Sequence, residues 1–429
     1  MIGEINVGAE KKKFYGWKLI CALWFIYFIN MGFALYGGSV ISSNMLNEIK
    51  MDRSLYGLGF SLQNLFVAIP SMVIAASIMR FGIVKTYVVG SALIISASLW
   101  MAFVASKPWH FLIGVGVILG CGIGFGTVIP TTTAVSRWFN RYRGRAMAIT
   151  VTAPGVAGLI VAPWMQSIIL KNGGNWRIGW MICAGAMLVS VIVAIMFIKD
   201  SPEVLGQEPD GGAPANVSAC GNNTKKVVAT TYDWTPNQAY KTVSYWSISI
   251  GACATQFPFF FFVAHWILFM MGLKFDATIC AFSMGIFTIT GLAGRLFWGW
   301  LMDTIEARVA FISALVLYVI ACLLAISIVP GNLIMAYAAA ALFGIAFGGA
   351  FVCMQTITAS FYGRKAYPKL NGMIMLISGV ICAPAALIGG KLFEINKNYT
   401  ASFQLIITIV VMGIIALLFA KMPKHENEK

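Results

Sequence analysis

Gly344-Ile-Ala-Phe-Gly348 stands 222 residues after Gly122-Ile-Gly-Phe-Gly126, and each pentapeptide lies inside a long apolar run; Phe139 and Phe361 keep the same spacing. Matching embedded segments half a chain apart are the mark of a duplicated helical unit. Spanning a hydrocarbon core of about 30 Å takes around 20 apolar residues in a helix that pairs its backbone groups internally. Outward from the two pentapeptides, that criterion finds twelve segments: 17–40, 56–79, 83–105, 110–135, 146–169, 178–198, 244–271, 277–302, 306–329, 333–358, 370–390 and 400–421. The expected fold is an all-α membrane protein, twelve transmembrane helices in two pseudo-symmetric six-helix bundles.

Composition agrees. With 59% hydrophobic and 10% charged residues among 429, and a mean hydropathy of +0.82, the chain has too few polar groups to cover a soluble globule. Its formal charge of +15 lies between the apolar runs and not in a patch, so a nucleic-acid partner is not expected. The first apolar run exceeds the roughly 7–15 residues of a signal peptide and is expected to stay as a helix. Cys21, Cys121, Cys183, Cys253, Cys280, Cys322, Cys353 and Cys382 fall inside apolar stretches and Cys220 in a polar loop, which reads as small buried hydrophobes with no disulfide and no metal site.

The stretch from Lys199 to Thr242 is the one long polar interruption, rich in Gly, Asn, Pro, Ser and Thr. It divides the chain into an N-terminal six-helix half (1–198), a linker (199–243) and a C-terminal six-helix half (244–429). Sorted by loop, 21 of the 30 basic residues share the side of both termini and eight lie opposite, which predicts cytoplasmic termini in a plasma or inner membrane. The basic residue left over is Arg295, in the eighth span.

Glycines 116, 120 and 124, with 122 and 126, mark two sides of the fourth span at four-residue spacing; this is close helix packing and not a nucleotide loop, since no strand precedes it. Arg80, Lys85, Arg141, Arg143, Arg145 and Arg308 are expected to latch the terminal-side loops and meet membrane lipids. The sequons at Asn216 and Asn222 fall in the linker, and that at Asn398 has meaning only in a eukaryote.

Twelve spans, a long central loop and Gly299-x-Leu301-x-Asp303 before Arg308 resemble the major facilitator superfamily; the first-half copy has Met79 where that family usually has Asp. Gly122 to Pro130, Trp138-Phe139, Arg143-Gly144-Arg145-Ala146, Gly294-Arg295-Leu-Phe-Trp-Gly299 and Phe343-Gly-Ile-Ala-Phe-Gly348 resemble more narrowly the monocarboxylate transporters and the oxalate/formate antiporters. The resemblance implies alternating access about a central anion site, with the helix-eight arginine binding the anion. It also implies a helix-eight carboxylate, which is Gly291 here, and a helix-one lysine, which is absent near Gly37 to Ser39. The position of the oxalate antiporter's second cation falls on Ser378, so a monocarboxylate is favoured over oxalate.

Arg295 lies about seven residues from the end of its span, where a charge costs roughly 2.5–3.5 kcal/mol at the helix centre. Its planar fork matches a carboxylate's two oxygens. None of the fifteen acidic residues lies mid-helix; Asp303 is eight residues on, about 12 Å along the axis, and Asp276 begins the helix on the far side. A substrate carboxylate is therefore the expected counter-ion. Asn30, Tyr36, Thr127, Gln256 and Ser378 are the candidate hydrogen-bonding partners of that substrate, although mid-helix polar groups more often bond a neighbouring helix. His265 is the only histidine within a span and the proton-coupling candidate, against the alternative of a merely hydrogen-bonded histidine.

The function expected is secondary active transport of a lactate- or pyruvate-type monocarboxylate, proton-coupled, by a carrier working as a monomer without cofactor. Charge balance asks for a proton or a counter-anion, since moving one anion into a negative cell costs about 2.3 kcal/mol per 100 mV. Exchange of oxalate, formate or another dicarboxylate is the alternative. A non-transporting carboxylate sensor would need a signalling extension that neither terminus is long enough to supply, and an enzyme is not expected, since the embedded segments contain no carboxylate and no metal cluster.

Overall fold

The computed structural model describes residues 14–139, 143–208, 234–302 and 304–423. Its spans are Gly16–Leu46 (α1), Arg53–Ala68 with Ser71–Phe81 (α2), Ile83–Phe103 (α3), Pro108–Val135 (α4), Ile149–Lys171 (α5), Trp176–Phe197 (α6), Val243–Gly272 (α7), Ala277–Leu301 (α8), Ala307–Ile326 (α9), Leu333–Tyr362 (α10), Lys369–Asn396 (α11) and Thr400–Leu418 (α12). All but α2 are long and apolar enough to cross a membrane, 11 among the described residues, α5 with a break at Thr152. α2 is divided into pieces of 16 and 11 residues at Pro70, which lacks an amide hydrogen and crowds the preceding turn. Helical backbone continues from Leu333 to Cys382, through the turn where a loop is expected between α10 and α11. Asp303, Arg141, Cys220, Asn216 and Asn222 lie outside the described residues.

The repeat is clearer in the backbone than in the sequence, and its register differs. Lys50 and Lys274 both take left-handed backbone (φ 52° and 63°), and the aspartate two residues after each, Asp52 and Asp276, caps the next helix by accepting from the amides of Leu55 and Thr278. A methyl group added at Gly120 would fall 2.7 Å from the carbonyl oxygen of Gln63, and one at Gly124 3.0 Å from that of Val67. Added at Gly344 and Gly348, it would fall 2.2 Å and 1.9 Å from the carbonyl oxygens of Phe287 and Gly291. The two lysines, the two aspartates, the glycines and the carbonyls they face are all related by 224 residues, not 222. Gly122 and Gly126 face α3 instead: a methyl at Gly122 would meet Ile94 at 2.7 Å, and one at Gly90 the Gly126 nitrogen at 2.5 Å. Glycine at every second position lets two registers align equally well, but a two-residue slip turns a helical residue by about 200°, onto the opposite neighbour.

The halves meet at the level of the pseudo-two-fold and beyond it on the side opposite the termini. Ser39 Oγ of α1 donates to the Val263 carbonyl of α7 at 2.7 Å, and these positions are themselves 224 apart, as expected of residues on the axis relating the halves. Glu394 accepts from the Ser54 amide (2.7 Å), Ser61 from the Leu387 amide (3.1 Å), and the Arg53 guanidinium donates to Tyr399 (3.0 Å). Gly57 and Gly390 permit the contact, since a methyl at either would lie 2.1 Å from the facing backbone oxygen of Ala386 or Arg53. On the same side Glu48 pairs with Arg177 and accepts from Trp176, and the guanidinium holds its carboxyl below the usual range.

Substitution Gly348→Leu should force α8 and α10 apart, at a cost of about 1–3 kcal/mol typical of overpacking. Thermal unfolding in detergent should show a lowered Tm, whereas Gly372→Leu, at a position where a methyl meets nothing within 4 Å, should unfold as the parent does.

Candidate functional site

Thr288, Gly291, Leu292 and Arg295 share one face of α8 at helical spacing. That face is positioned by glycines on both sides of the α8–α10 contact, for a methyl added at Gly294 would sit 2.4 Å from the Ile345 carbonyl oxygen. With the backbones this close, the Arg295 side chain passes over two α10 rings, its guanidinium carbon 5.9 Å from the Phe347 centroid and 5.6 Å from that of Phe351. Phe347 is in turn stacked on Phe259 of α7, centroids 4.2 Å apart. Aromatic faces and packing thus set the arginine's direction.

The guanidinium reaches the other half. Its Nη1 donates to the Val151 carbonyl at 3.3 Å, a long bond by the usual 2.9–3.0 Å standard. Its Nε is buried without a partner. The ion pairs among the described residues are Arg177–Glu48 and Arg308–Glu306, and neither involves Arg295. Among the described residues, a group with five donors has one backbone acceptor.

Val151 can serve because α5 is interrupted there. One helix ends at Val151 and the next, Ala153–Lys171, starts with Pro154 in its first turn. Gly155, Pro154 and Tyr36 bring the N-terminal half to a small opening, of about 20 Å³, that the α8 face, Phe287 and Phe347 complete. Tyr36 belongs to a π-helical stretch, Gly32–Gly37, where one extra residue in the turn re-aims the side chains beyond it. The site thus offers a cation, the hydroxyl of Tyr36 and apolar walls, while the Thr288 hydroxyl in its lining donates to the Gly285 carbonyl (2.8 Å). Gly291 is part of its lining, and a methyl there would already lie 3.3 Å from the Gly344 carbonyl oxygen, so a carboxylate side chain at this position would press on α10.

Of the candidate residues named from sequence, the structure brings Arg295 and Tyr36 together. Asn30 instead ties α1 to α4 and α6, donating to the Gly126 carbonyl (2.6 Å) and accepting from Ser190 (2.8 Å). Thr127 donates to Ile123 in its own helix (2.6 Å), and Ser378 likewise to Met375 (3.3 Å). Gln256 of α7 keeps a buried Oε1 with no partner. None of these four lines the opening. His265 is fully buried at the junction of α2, α7 and α11, its Nδ1 3.1 Å from the Tyr399 hydroxyl and its Nε2 2.6 Å from the Ala386 carbonyl. Burial pushes the Tyr399 hydroxyl up to about 12, so it stays a donor; it takes the Arg53 bond and passes one to Nδ1, leaving the Nε2 hydrogen for Ala386. Sequence reasoning missed Val151, Pro154, Gly155, Thr288 and Phe347. A Pro-Gly pair inside an apolar run was the readable sign of a broken helix; a backbone acceptor such as Val151 carries none.

A family model described as the Major Facilitator Superfamily matches residues 23–365 and 273–429. Monocarboxylate transporter 13 of Bos taurus is 26% identical over 309 residues, 71% of this chain and 66% of that one. An uncharacterized MFS-type transporter of Bacillus subtilis, YcxA, is 23% identical over 422 residues, 95% of this chain and 97% of its own. In fold, the chain superposes on a bacterial homolog of the human lysosomal transporter Spinster in an inward-facing and occupied conformation (TM-score 0.68, 15% identity, 95% of this chain and 96% of that one). It also superposes on a point mutant of the nucleoside transporter NupG (TM-score 0.70, 14% identity, 94% of this chain and 100% of that one). The interrupted spans, the two glycine-packed halves and the opening between them are those of a transporter, and the chain belongs to the Major Facilitator Superfamily.

Proposed function

We propose that this transporter carries small monocarboxylates of the lactate or pyruvate type by alternating access, coupled to protons, with Arg295 as the residue that binds the carboxylate. The observation that carries the reading is the Arg295 guanidinium itself, turned into an opening between the halves with a buried Nε, one long backbone bond and no carboxylate of this chain paired to it among the described residues. A planar cation so placed is completed by a planar anion. The opening holds about 20 Å³, the room of a water molecule, so in this conformation it is nearly closed and must widen to admit a substrate; its apolar walls suit a short hydrocarbon tail. Relatives named monocarboxylate transporters point the same way.

In this reading Tyr36 hydrogen-bonds the substrate, and Gln256, with its unpartnered oxygen, is the next polar contact as the cavity changes shape; Asn30, Thr127 and Ser378 act through helix packing. His265 sits in the closed contact opposite the termini, so a proton taken up there would be linked to opening of that contact and not to the pocket. The basic bias of the terminal-side loops supports cytoplasmic termini in a plasma membrane. Exchange of anions is the second reading, and Gly291 favours it: with no acidic side chain lining the pocket among the described residues, charge is balanced by carrying another anion back.

Arg295→Ala should abolish carboxylate uptake into proteoliposomes. Arg295→Lys, which keeps the charge but loses the fork, should weaken binding at least tenfold, the loss of about 1.5–3 kcal/mol expected for a charged hydrogen bond. Uptake by Arg295→Ala at the parent rate contradicts the assignment. Counterflow of labelled lactate and labelled oxalate, with and without a pH gradient, separates the two coupling modes: acceleration of lactate by an inward proton gradient in vesicles free of internal anion supports proton coupling, and uptake only against an internal anion supports exchange.

A further inference from the structure

We infer that Cys253 and Cys382 are a redox-active thiol pair: a peroxide entering the space between the halves oxidises Cys253, and Cys382 closes a disulfide on it that fastens α11 to α7. The inference is independent of the anion site. Between Val243 and Pro258, α7 is buried except along one stripe, Val243, Trp246, Ile250, Cys253 and Gln256, at intervals of three and four residues. From Phe261 to Met270 it is buried all round. A helix facing lipid would be exposed along its whole length, so the stripe faces the space that opens between the halves on the side of the termini. Cys253 is half-buried there and open to water-borne reagents.

Cys382 stands behind it. It is 1% exposed, and its Sγ donates to the Cys253 carbonyl at 3.4 Å. The two thiols also hydrogen-bond each other, and both are free in the structure. An accessible sulfur with a shielded one in contact is the arrangement of a sensing and a resolving cysteine. The Cys253 sulfur attacks one peroxide oxygen; an S–O bond forms, the O–O bond breaks, and a sulfenic acid and water result. The Cys382 sulfur then attacks the sulfenic sulfur; an S–S bond forms, the S–O bond breaks, and the hydroxyl leaves with the Cys382 proton as a second water. Two thiols are oxidised and one peroxide is reduced.

Position gives the bridge a consequence. Helical backbone running from Leu333 ends at Cys382, and α11 resumes at Ala385 after Pro384. The resumed segment, Ala385–Asn396, is the part of α11 that meets α2 through Leu387, Gly390 and Glu394. A bridge at Cys382 therefore fixes the residue beside the break on which that segment turns when the halves part there.

The test treats the reduced, detergent-purified protein with hydrogen peroxide, in the parent and in Cys253→Ser and Cys382→Ser. Mass spectrometry of the proteolysed parent should show two peptides joined at Cys253 and Cys382 that dithiothreitol separates. Cys382→Ser, whose hydroxyl can keep the bond to the Cys253 carbonyl, should stop at a Cys253 sulfenic acid trapped by dimedone, and in Cys253→Ser the shielded Cys382 should stay reduced. Hydrogen exchange of the amides in Ala385–Asn396 should slow by about tenfold in the oxidised parent and not in oxidised Cys382→Ser. The parent peptide map decides the pairing even if a variant does not fold. No joined peptide in the parent, or equal oxidation of Cys382 with and without Cys253, overturns the thiol pair. A joined peptide with exchange unchanged overturns the fastening of α11.

Discussion

A glycine pressed against a backbone carbonyl is the contact on which this architecture depends. It occurs where α4 crosses α2, at Gly120 and Gly124, and again 224 residues later where α10 crosses α8, at Gly344 and Gly348. Helices in a bilayer gain little from hiding apolar surface from one another, because lipid is equally apolar, so close approach of backbones has to supply the association. The C-terminal contact also fixes α8 in rotation. That rotation turns Arg295 away from lipid, past Phe347 and Phe351 and into the space between the halves.

The arginine then creates a deficit that the rest of the site answers. Interruption of α5 at Thr152 releases a carbonyl at Val151 to meet it and brings the first turn of a helix beside it. Neither feature neutralises the charge. The two halves are sewn together by hydrogen bonds on the side opposite the termini, from Arg53 to Tyr399 and from Ser54 to Glu394, whereas at the Arg295 level one long hydrogen bond joins them among the described residues, beside the packing of Gly155 and Gly158 on Thr288. An anion arriving at that level changes the balance between the two ends of the interface, which is the requirement for a carrier whose halves rock about a fixed site.

Much of this was legible in the amino-acid sequence, for physical reasons. Apolar runs long enough to span read directly as helices, and a lone cation within one of them stands out because membrane depth makes it costly. Arg295 stood out in that way, and Tyr36 only as one of five polar side chains within the spans. Asn30, Thr127 and Ser378 were not separable from them, since a polar side chain within a span satisfies itself against its own helix or the next one, and sequence does not say which. The repeat was visible but its register was not, because alternating glycines align equally well two residues apart. The interruption at Pro154-Gly155 was written in the residues, yet its use became evident only when α5 and α8 were placed side by side.

The most direct test is an experimental map of the protein with lactate bound. The account predicts a carboxylate lying flat against the Arg295 guanidinium, next to the first turn of Ala153–Lys171, with the Val151 bond given up. A map in which the guanidinium faces lipid, or is paired with a carboxylate of the chain itself such as Asp303, while lactate lies elsewhere, would contradict it.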